Sequence, residues 1–308
     1  MSFKHVFSRF CFHIYSLWLF TRSDLKTIVF PQTAFGVLSA LSTIPSGNTA
    51  FSSEELAIIK RTPLVLLWVW MNLVPFEINN QRQPKDIAED KLNKPWRTLP
   101  SGRWTCRQAT YIMFVFYLIA GVLSWYIGGF RWSMSLLLLG IWYNNMGGSD
   151  VNALIRNLIN ALGYMSFGAG ALEVVLDAPL CYTGAVMPDL STVPNLETWI
   201  GTMFAIILTT VHTQDMEDQE GDALRGRRSL PLQIGDRLCR WVIASCMIFW
   251  GSFCPSLWQC GWAGYITSTL LAYMVALRSL TLRTVESDRT TFKIWNIWII
   301  SLYTLPLI

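Results

Sequence analysis

The run Thr198-Trp-Ile-Gly-Thr-Met-Phe-Ala-Ile-Ile-Leu-Thr-Thr-Val-His-Thr-Gln-Asp215-Met-Glu217-Asp218-Gln-Glu220-Gly-Asp222 holds two signals side by side. Its first 17 residues, 198–214, contain no Asp, Glu, Lys or Arg, and its last eight contain five carboxylates. Seventeen residues of helix rise about 25 Å, close to the bilayer's hydrocarbon core of about 30 Å. The stretch therefore predicts a membrane span with an acidic cluster at its end. Outward from it, similar apolar runs recur at about 27–44, 62–79, 108–128, 131–148, 152–176, 238–257, 261–281 and 291–308, which makes nine spans. Of 308 residues 52% are apolar and 14% charged, against about 25% charged in a soluble domain. Too little polar surface remains to cover a globule in water, which excludes a soluble enzyme, a disordered chain and a secreted mini-scaffold. A formal charge of +4, scattered along the chain, excludes a nucleic-acid binder. The seven cysteines include no C-x-x-C pair, and their odd count argues against a disulfide framework. The expected fold class is an all-α integral membrane protein.

Residues Phe3 to Phe20 are aromatic-rich but carry Lys4, Arg9 and His13, so they read as an interfacial helix lying on the membrane, with a tenth span as the alternative. That divides the chain into an N-terminal arm, 1–26, and a single transmembrane domain, 27–308. Basic residues crowd the arm and the loops after the second, sixth and eighth spans, whereas the 177–197 loop has none. This asymmetry puts the basic loops and the N-terminus in the cytoplasm. Four spans separate the two acidic loops, the spacing of a duplicated four-helix unit.

The other acidic cluster is Asp86-Ile-Ala-Glu89-Asp90, so two windows totalling 13 residues hold 8 of the 20 carboxylates. Each window opens where a span ends. On a helix Asp86 and Asp90 share a face, as do Asp218 and Asp222, with Asp215 three residues before Asp218. Like charges at that spacing repel unless cations occupy them, and Mg²⁺ uses one or two carboxylates together with substrate phosphate oxygens. Neither window has the spacing of an EF-hand loop. Lys91, Lys94 and Arg97 follow the first cluster, and Arg225, Arg227 and Arg228 the second. Carboxylates for metal beside cations for phosphate are the ingredients of a diphosphate site. Two such clusters on one side of the membrane outweigh the reading of either as a solvated loop. A channel with acidic rings would need those carboxylates deep within the spans. His5, His13 and His212 are too dispersed for a metal site.

The run Asn80-Gln-Arg-Gln-Pro-Lys-Asp86-Ile-Ala-Glu89-Asp90-Lys-Leu-Asn93-Lys94-Pro95-Trp-Arg97-Thr-Leu-Pro100-Ser-Gly102-Arg103 resembles the first aspartate-rich motif of the UbiA superfamily of intramembrane prenyltransferases. Asp215-x-x-Asp218-x-x-Gly221-Asp222, continuing to Gly226-Arg-Arg-Ser-Leu230-Pro231, resembles the second. The resemblance covers nearly the whole chain and implies a bundle of about nine helices around a central cavity. It implies Mg²⁺ held by Asp86, Asp90, Asp215, Asp218 and Asp222 as the catalytic carboxylates. It also implies an isoprenoid diphosphate contacted by Lys94, Arg97 and Arg227 or Arg228. The first motif departs from the commoner N-D-x-x-D-x-x-x-D, since Gln83 stands where the first aspartate belongs and Asn79 or Asn80 replaces the asparagine from a shifted position. The form Glu-Asp-x-x-Asn-Lys-Pro-Trp-Arg, with Trp18-Leu-Phe-Thr-Arg-Ser-Asp24-Leu-Lys-Thr27, resembles a fungal branch that includes membrane-bound terpene cyclases.

The expected function is a Mg²⁺-dependent class I terpene cyclase acting on farnesyl or geranylgeranyl diphosphate in terpenoid biosynthesis. The alternative is transfer of the isoprenoid to a small aromatic acceptor. Cyclisation needs a dry pocket with aromatic walls. Trp68, Trp70, Trp142, Tyr143, Tyr164 and Phe167 are the candidates for such walls, although most tryptophans belong to the membrane interface. Asn144 and Asn145 either join helices or orient substrate. Glu173 reads as a helix-pairing or snorkelling carboxylate rather than a catalytic one. The partners implied are the lipid bilayer, here the endoplasmic reticulum, and the diphosphate substrate, with no nucleic acid and no obligate protein partner.

Overall fold

The computed structural model describes residues 3–44, 52–180 and 196–308, and among these every regular element is a helix. Helix α1 (Phe3–Thr21) is followed by one π-helical turn, Leu25–Val29, that runs into α2 (Phe30–Leu41). Then come α3 (Ser53–Gln81), α4 (Pro84–Asn93), α5 (Cys106–Ile127), α6 (Phe130–Asn144), the short α7 (Gly148–Val151) and α8 (Ala153–Leu176). Helix α9 (Leu196–Thr210) continues into a 3₁₀ segment, Val211–Met216, before α10 (Gln219–Arg225) and α11 (Leu230–Ile234). The described chain closes with α12 (Asp236–Leu257), α13 (Trp262–Thr281) and α14 (Val285–Tyr303).

Among the described residues, α3, α5, α8 and α12 are long and apolar enough to cross a bilayer. The remaining runs expected to span coincide with helices that are shorter or more polar. The basic-free 177–197 loop, with Cys181, lies at 181–195 outside the described residues.

Helix α8 is the centre of the bundle. Residues 166–175 are all buried, and α2, α3, α6 and α9 pack around them. The close approach depends on small side chains: a Cβ on Gly170 would sit 2.0 Å from Trp68, and one on Gly36 would sit 2.8 Å from the Ala171 backbone. Trp68 thus fills a groove in α8. At the far end of α8, Glu173 accepts hydrogen bonds from Arg131 (2.8 Å) and from the Leu180 amide (2.9 Å), a pairing role.

Two further contacts shape the site. Helix α4 packs directly on α10, so the acidic clusters meet although more than 120 residues separate them. The contact is tight at Gly221, where a Cβ would lie 2.2 Å from Asn93 Nδ2. Helix α1 is exposed over its first part and buried at Ser16, Leu17 and Leu19 to Thr21, where it meets α3 and the segment 94–105. Thr98 Oγ1 donates to the Ser16 carbonyl (2.5 Å), Arg103 to Ser16 Oγ (2.9 Å), and Trp104 Nε1 to His13 Nδ1 (3.1 Å). The Arg103 guanidinium also lies over the Phe12 and Tyr15 rings, at 4.1 and 4.9 Å.

Candidate active site

Pro84 in the first turn of α4, with its preset φ, starts that helix, and the Asp86 side chain accepts from the Gln83 amide (3.1 Å). This cap turns Asp86 and Asp90, four residues apart, inward on one face. Asp90 accepts two hydrogen bonds from Arg97 Nη1 (2.8 and 3.1 Å), and the same guanidinium lies 3.8 Å from Glu77 of α3. Asp86 pairs with Arg225 of α10. Glu89 accepts from Arg225 (3.2 Å) and Arg227 (3.1 Å), so the first cluster is tied to the cations that follow the second.

The converse also holds. Lys94 donates to Asp218 (2.9 Å), and Arg227 donates to Asp222 (2.8 Å). Asp215 sits on the 3₁₀ segment beyond α9 and accepts from Arg156 of α8 at 2.5 Å, while Arg156 Nη1 donates to the Tyr143 hydroxyl at 2.9 Å. Asp150 receives Lys85 (2.5 Å) and lies 3.2 Å from Arg225 Nε. The result is a lattice of neighbouring ion-pair groups: Arg97 with Asp90 and Glu77; Lys85, Arg225 and Arg227 with Asp86, Glu89, Asp150 and Asp222; Lys94 with Asp218; and Arg156 with Asp215.

Burial sets the proton affinities. It pushes the Asp86 carboxyl up to about 6, against the pull of Arg225. It does the same to Asp215, also to about 6, with Arg156 opposing. Asp218 is buried too, but Lys94 beside it outweighs that and holds it below the ordinary carboxylate value. At Asp150 burial is outweighed by the Lys85 hydrogen bond and by Arg225, which hold it at about 2.

The lattice closes one end of a cavity of about 690 Å³, within the usual range for small-molecule sites. Of the residues singled out in the sequence, Asp86, Asp90, Asp218, Asn80, Lys94, Arg97, Arg227, Tyr143 and Tyr164 line it. Asp215 and Asp222 stand directly behind the wall, reaching it through Arg156 and Arg227. Two candidates for substrate contact do not line this cavity. Arg228 is exposed and meets Asp150 only through its backbone amide, because adjacent residues leaving a turn point apart. Asn144 is buried off the cavity, its carbonyl accepting from Gln83 Nε2 (3.2 Å). Asn145 accepts from Asn79 (2.8 Å), a helix-joining contact. Tyr143, Tyr164 and Phe167 do face the cavity, with Phe76 and Phe292; Trp68, Trp70 and Trp142 do not.

Glu89 and Arg225, which the sequence shows only as members of the two charged windows, also reach the site, as do Arg156, Glu77 and Asp24, to which the sequence pattern assigns no site role. For Arg156 a signal exists: a single cation in the apolar run 153–176 needs a buried partner or a function.

Residues 42–298 match the UbiA prenyltransferase family. The chain belongs to that family. It is 30% identical to the fumagillin beta-trans-bergamotene synthase of Aspergillus fumigatus over 244 residues, 79% of this chain and 75% of that one. It is 26% identical to the somaliensene A/B synthase of Streptomyces somaliensis over 320 aligned residues, 96% of this chain and 91% of that one. The solved structure of a UbiA homolog from Archaeoglobus fulgidus bound to GPP and Mg²⁺ superposes with a TM-score of 0.58 at 13% identity, covering 95% of this chain and 100% of that one. The UbiA-like fold and the apolar helices α3, α5, α8 and α12 make this an integral membrane protein.

Proposed function

We propose that the chain is a membrane-bound, Mg²⁺-dependent class I terpene cyclase that converts farnesyl or geranylgeranyl diphosphate to a cyclic hydrocarbon. The observation that carries this reading is that one cavity joins an ionic end, built from Asp86, Asp90, Lys94, Arg97, Asp218, Arg225 and Arg227, to a wall of Phe76, Tyr143, Tyr164, Phe167 and Phe292. The kinship to two terpene synthases supports it further.

The donor set suits a hard cation, because every candidate ligand is a carboxylate oxygen. Asp215 Oδ2 and Asp222 Oδ2 are buried with no hydrogen-bond partner, an arrangement that is costly unless a ligand completes it. Among the described residues no three such groups converge as a ready-made metal cage, since arginines and lysine occupy the carboxylates. Phosphate oxygens that drew Lys94, Arg97 and Arg227 away would release Asp218, Asp90 and Asp222 to hold Mg²⁺, and Asp86 and Asp215 would join them once Arg225 and Arg156 also turned to the diphosphate. The chemistry a bound Mg²⁺ supplies is Lewis-acid neutralisation of the leaving diphosphate. The guanidiniums add to it through bidentate hydrogen bonds. Asn80 lines the cavity beside them and orients the diphosphate. The aromatic faces stabilise the allylic cation and exclude the water that would quench it.

Residues 27–308 act as one catalytic domain and 1–26 as an interfacial arm, with the acidic loops facing the cytoplasm from the endoplasmic reticulum. A second reading, prenyl transfer to a small aromatic acceptor, is favoured by the activity for which the family is named. Yeast microsomes containing the protein, given farnesyl and geranylgeranyl diphosphate separately with Mg²⁺ and no acceptor, decide between them by gas chromatography with mass spectrometry. A new cyclic hydrocarbon is expected. No hydrocarbon from either donor overturns the cyclase reading in favour of transfer.

A further inference from the structure

A cyclisation that ends in a hydrocarbon must discard a proton, and a carboxylate already bonded to a cation is a poor place to put it. On the cavity wall, Asp86, Glu89, Asp90, Glu217 and Asp218 each face a guanidinium or ammonium. Glu77 accepts from Gln81 (2.8 Å) and lies 3.8 Å from Arg97. Asp24 differs. It lines the same cavity, yet among the described residues its carboxylate accepts no hydrogen bond and joins no ion pair. Burial raises its proton affinity, and Arg97, Lys94 and Lys26 oppose that rise only from a distance.

The backbone accounts for its placement. The Asp24 carbonyl accepts from both Ile28 N (2.8 Å) and Val29 N (3.0 Å), which opens the π-helical turn between α1 and α2. Such turns insert one residue into a helix and often mark functional sites. Here the widened turn lays residues 22–28 along the cavity. Asp24 lies within electrostatic reach of Arg97 and Lys94 at the ionic end and of the Tyr164 hydroxyl on the aromatic wall. It lines the cavity that the ionic end and the aromatic wall share.

We propose that Asp24 is the proton acceptor that terminates the cation cascade, an inference that rests on the cyclase reading. The C–H bond next to the cationic carbon breaks, its electron pair becomes the new C=C bond, and the proton passes to an Asp24 carboxylate oxygen. The balance is closed: a prenyl diphosphate yields a hydrocarbon, a diphosphate and one proton, with no change of oxidation state. The carboxylates of the ionic end hold cations throughout, so they do not compete for this role.

The test uses the full-length protein in microsomes, with Asp24→Asn and Asp24→Glu beside the wild type. Hydrocarbon formation, product spectrum and the half-saturating Mg²⁺ concentration are measured for each. Asp24→Asn is expected to lower kcat for hydrocarbon about 100-fold, the usual scale for a general base. KM and the Mg²⁺ requirement should stay within twofold, with residual product shifted toward alcohols formed by water capture. Asp24→Glu, which keeps the acceptor, should recover at least a tenth of the wild-type rate. A wild-type product spectrum and rate in Asp24→Asn would overturn the proposal. So would a Mg²⁺ requirement raised tenfold with products unchanged, which assigns Asp24 to the diphosphate end. Equal loss in both variants with lowered melting temperatures would make the residue structural. If the wild type itself forms no hydrocarbon, it is the cyclase reading that has failed, and that is seen before any variant is compared.

Discussion

Replacing Arg156 by Met tests whether Arg156 on the cavity wall and Asp215 behind it act as one coupled buried pair. Arg156 is 5% exposed and Asp215 1%, and Nη2 lies 2.5 Å from Oδ1. Removing one partner of a buried pair costs about 3–5 kcal/mol, because the other charge is left without compensation. The lower end applies at this pair. Burial already holds Asp215 at about 6 while Arg156 pulls it down, so losing the arginine lets the carboxyl climb further and take up a proton near pH 7. At roughly 2 °C per kcal/mol, Arg156→Met should melt about 6 °C below the wild type in detergent micelles. Asp215→Asn should lose more, toward the upper end of that range, because the stranded guanidinium cannot shed its charge. In the double variant neither charge is left alone, so its loss should fall short of the sum of the singles by about 1–3 kcal/mol. Strict additivity, or an unchanged melting temperature in either single variant, would refute the reasoning.

The double substitution of Asp218 and Asp222 to Ala should abolish turnover, and retention of more than a few per cent of the wild-type rate would remove the second cluster from the mechanism. Gly170→Ala places a methyl 2.0 Å from Trp68 and should destabilise the fold by about 1–3 kcal/mol, read as a lower melting temperature with the product spectrum unchanged. Gly221→Ala should instead reduce activity more than stability, because its clash with Asn93 at 2.2 Å separates α10 from α4. Asp86 and Asp215, both raised to about 6, hold their protons more tightly in the folded than in the unfolded protein. Their contribution to metal-free stability is fully present below about 4 and is lost as the pH rises through 6. Mg²⁺, which binds the ionised form, should stabilise the protein more at pH 7 than at pH 5, and melting curves with and without Mg²⁺ check this.

The class of fold and the two acidic windows are legible in the sequence because both are local: uncharged runs of bilayer length, then carboxylates at their ends. The cations of the site are legible as types but not as partners. Arg97 reads naturally as a phosphate ligand, and its bonds to Asp90 appear only once α4 and the segment after it are folded. The choice between Arg227 and Arg228 depends on which way a turn points, a property that neither residue carries alone. Trp68 is as aromatic as Tyr164, but the groove at Gly170 takes it away from the cavity. Asp24 escapes a reading by residue type because the π-helical turn that presents it has no marker in composition.

The fastening of α1 bears on how this protein is handled. Lys94 and Arg97 belong to a segment whose next residues, Thr98, Arg103 and Trp104, are held by Ser16, Phe12 and His13. On the proposed reading, the grip on a diphosphate is thereby anchored to a helix that would rest on the lipid surface as an interfacial arm. Trimming the first 20 residues to improve yield would leave all five aspartates of the two clusters in place and still slacken the loop that presents two of the cations. Detergents that strip the surface beneath α1 should act in the same direction, so activity lost on extraction is best sought back by restoring lipid before substrate.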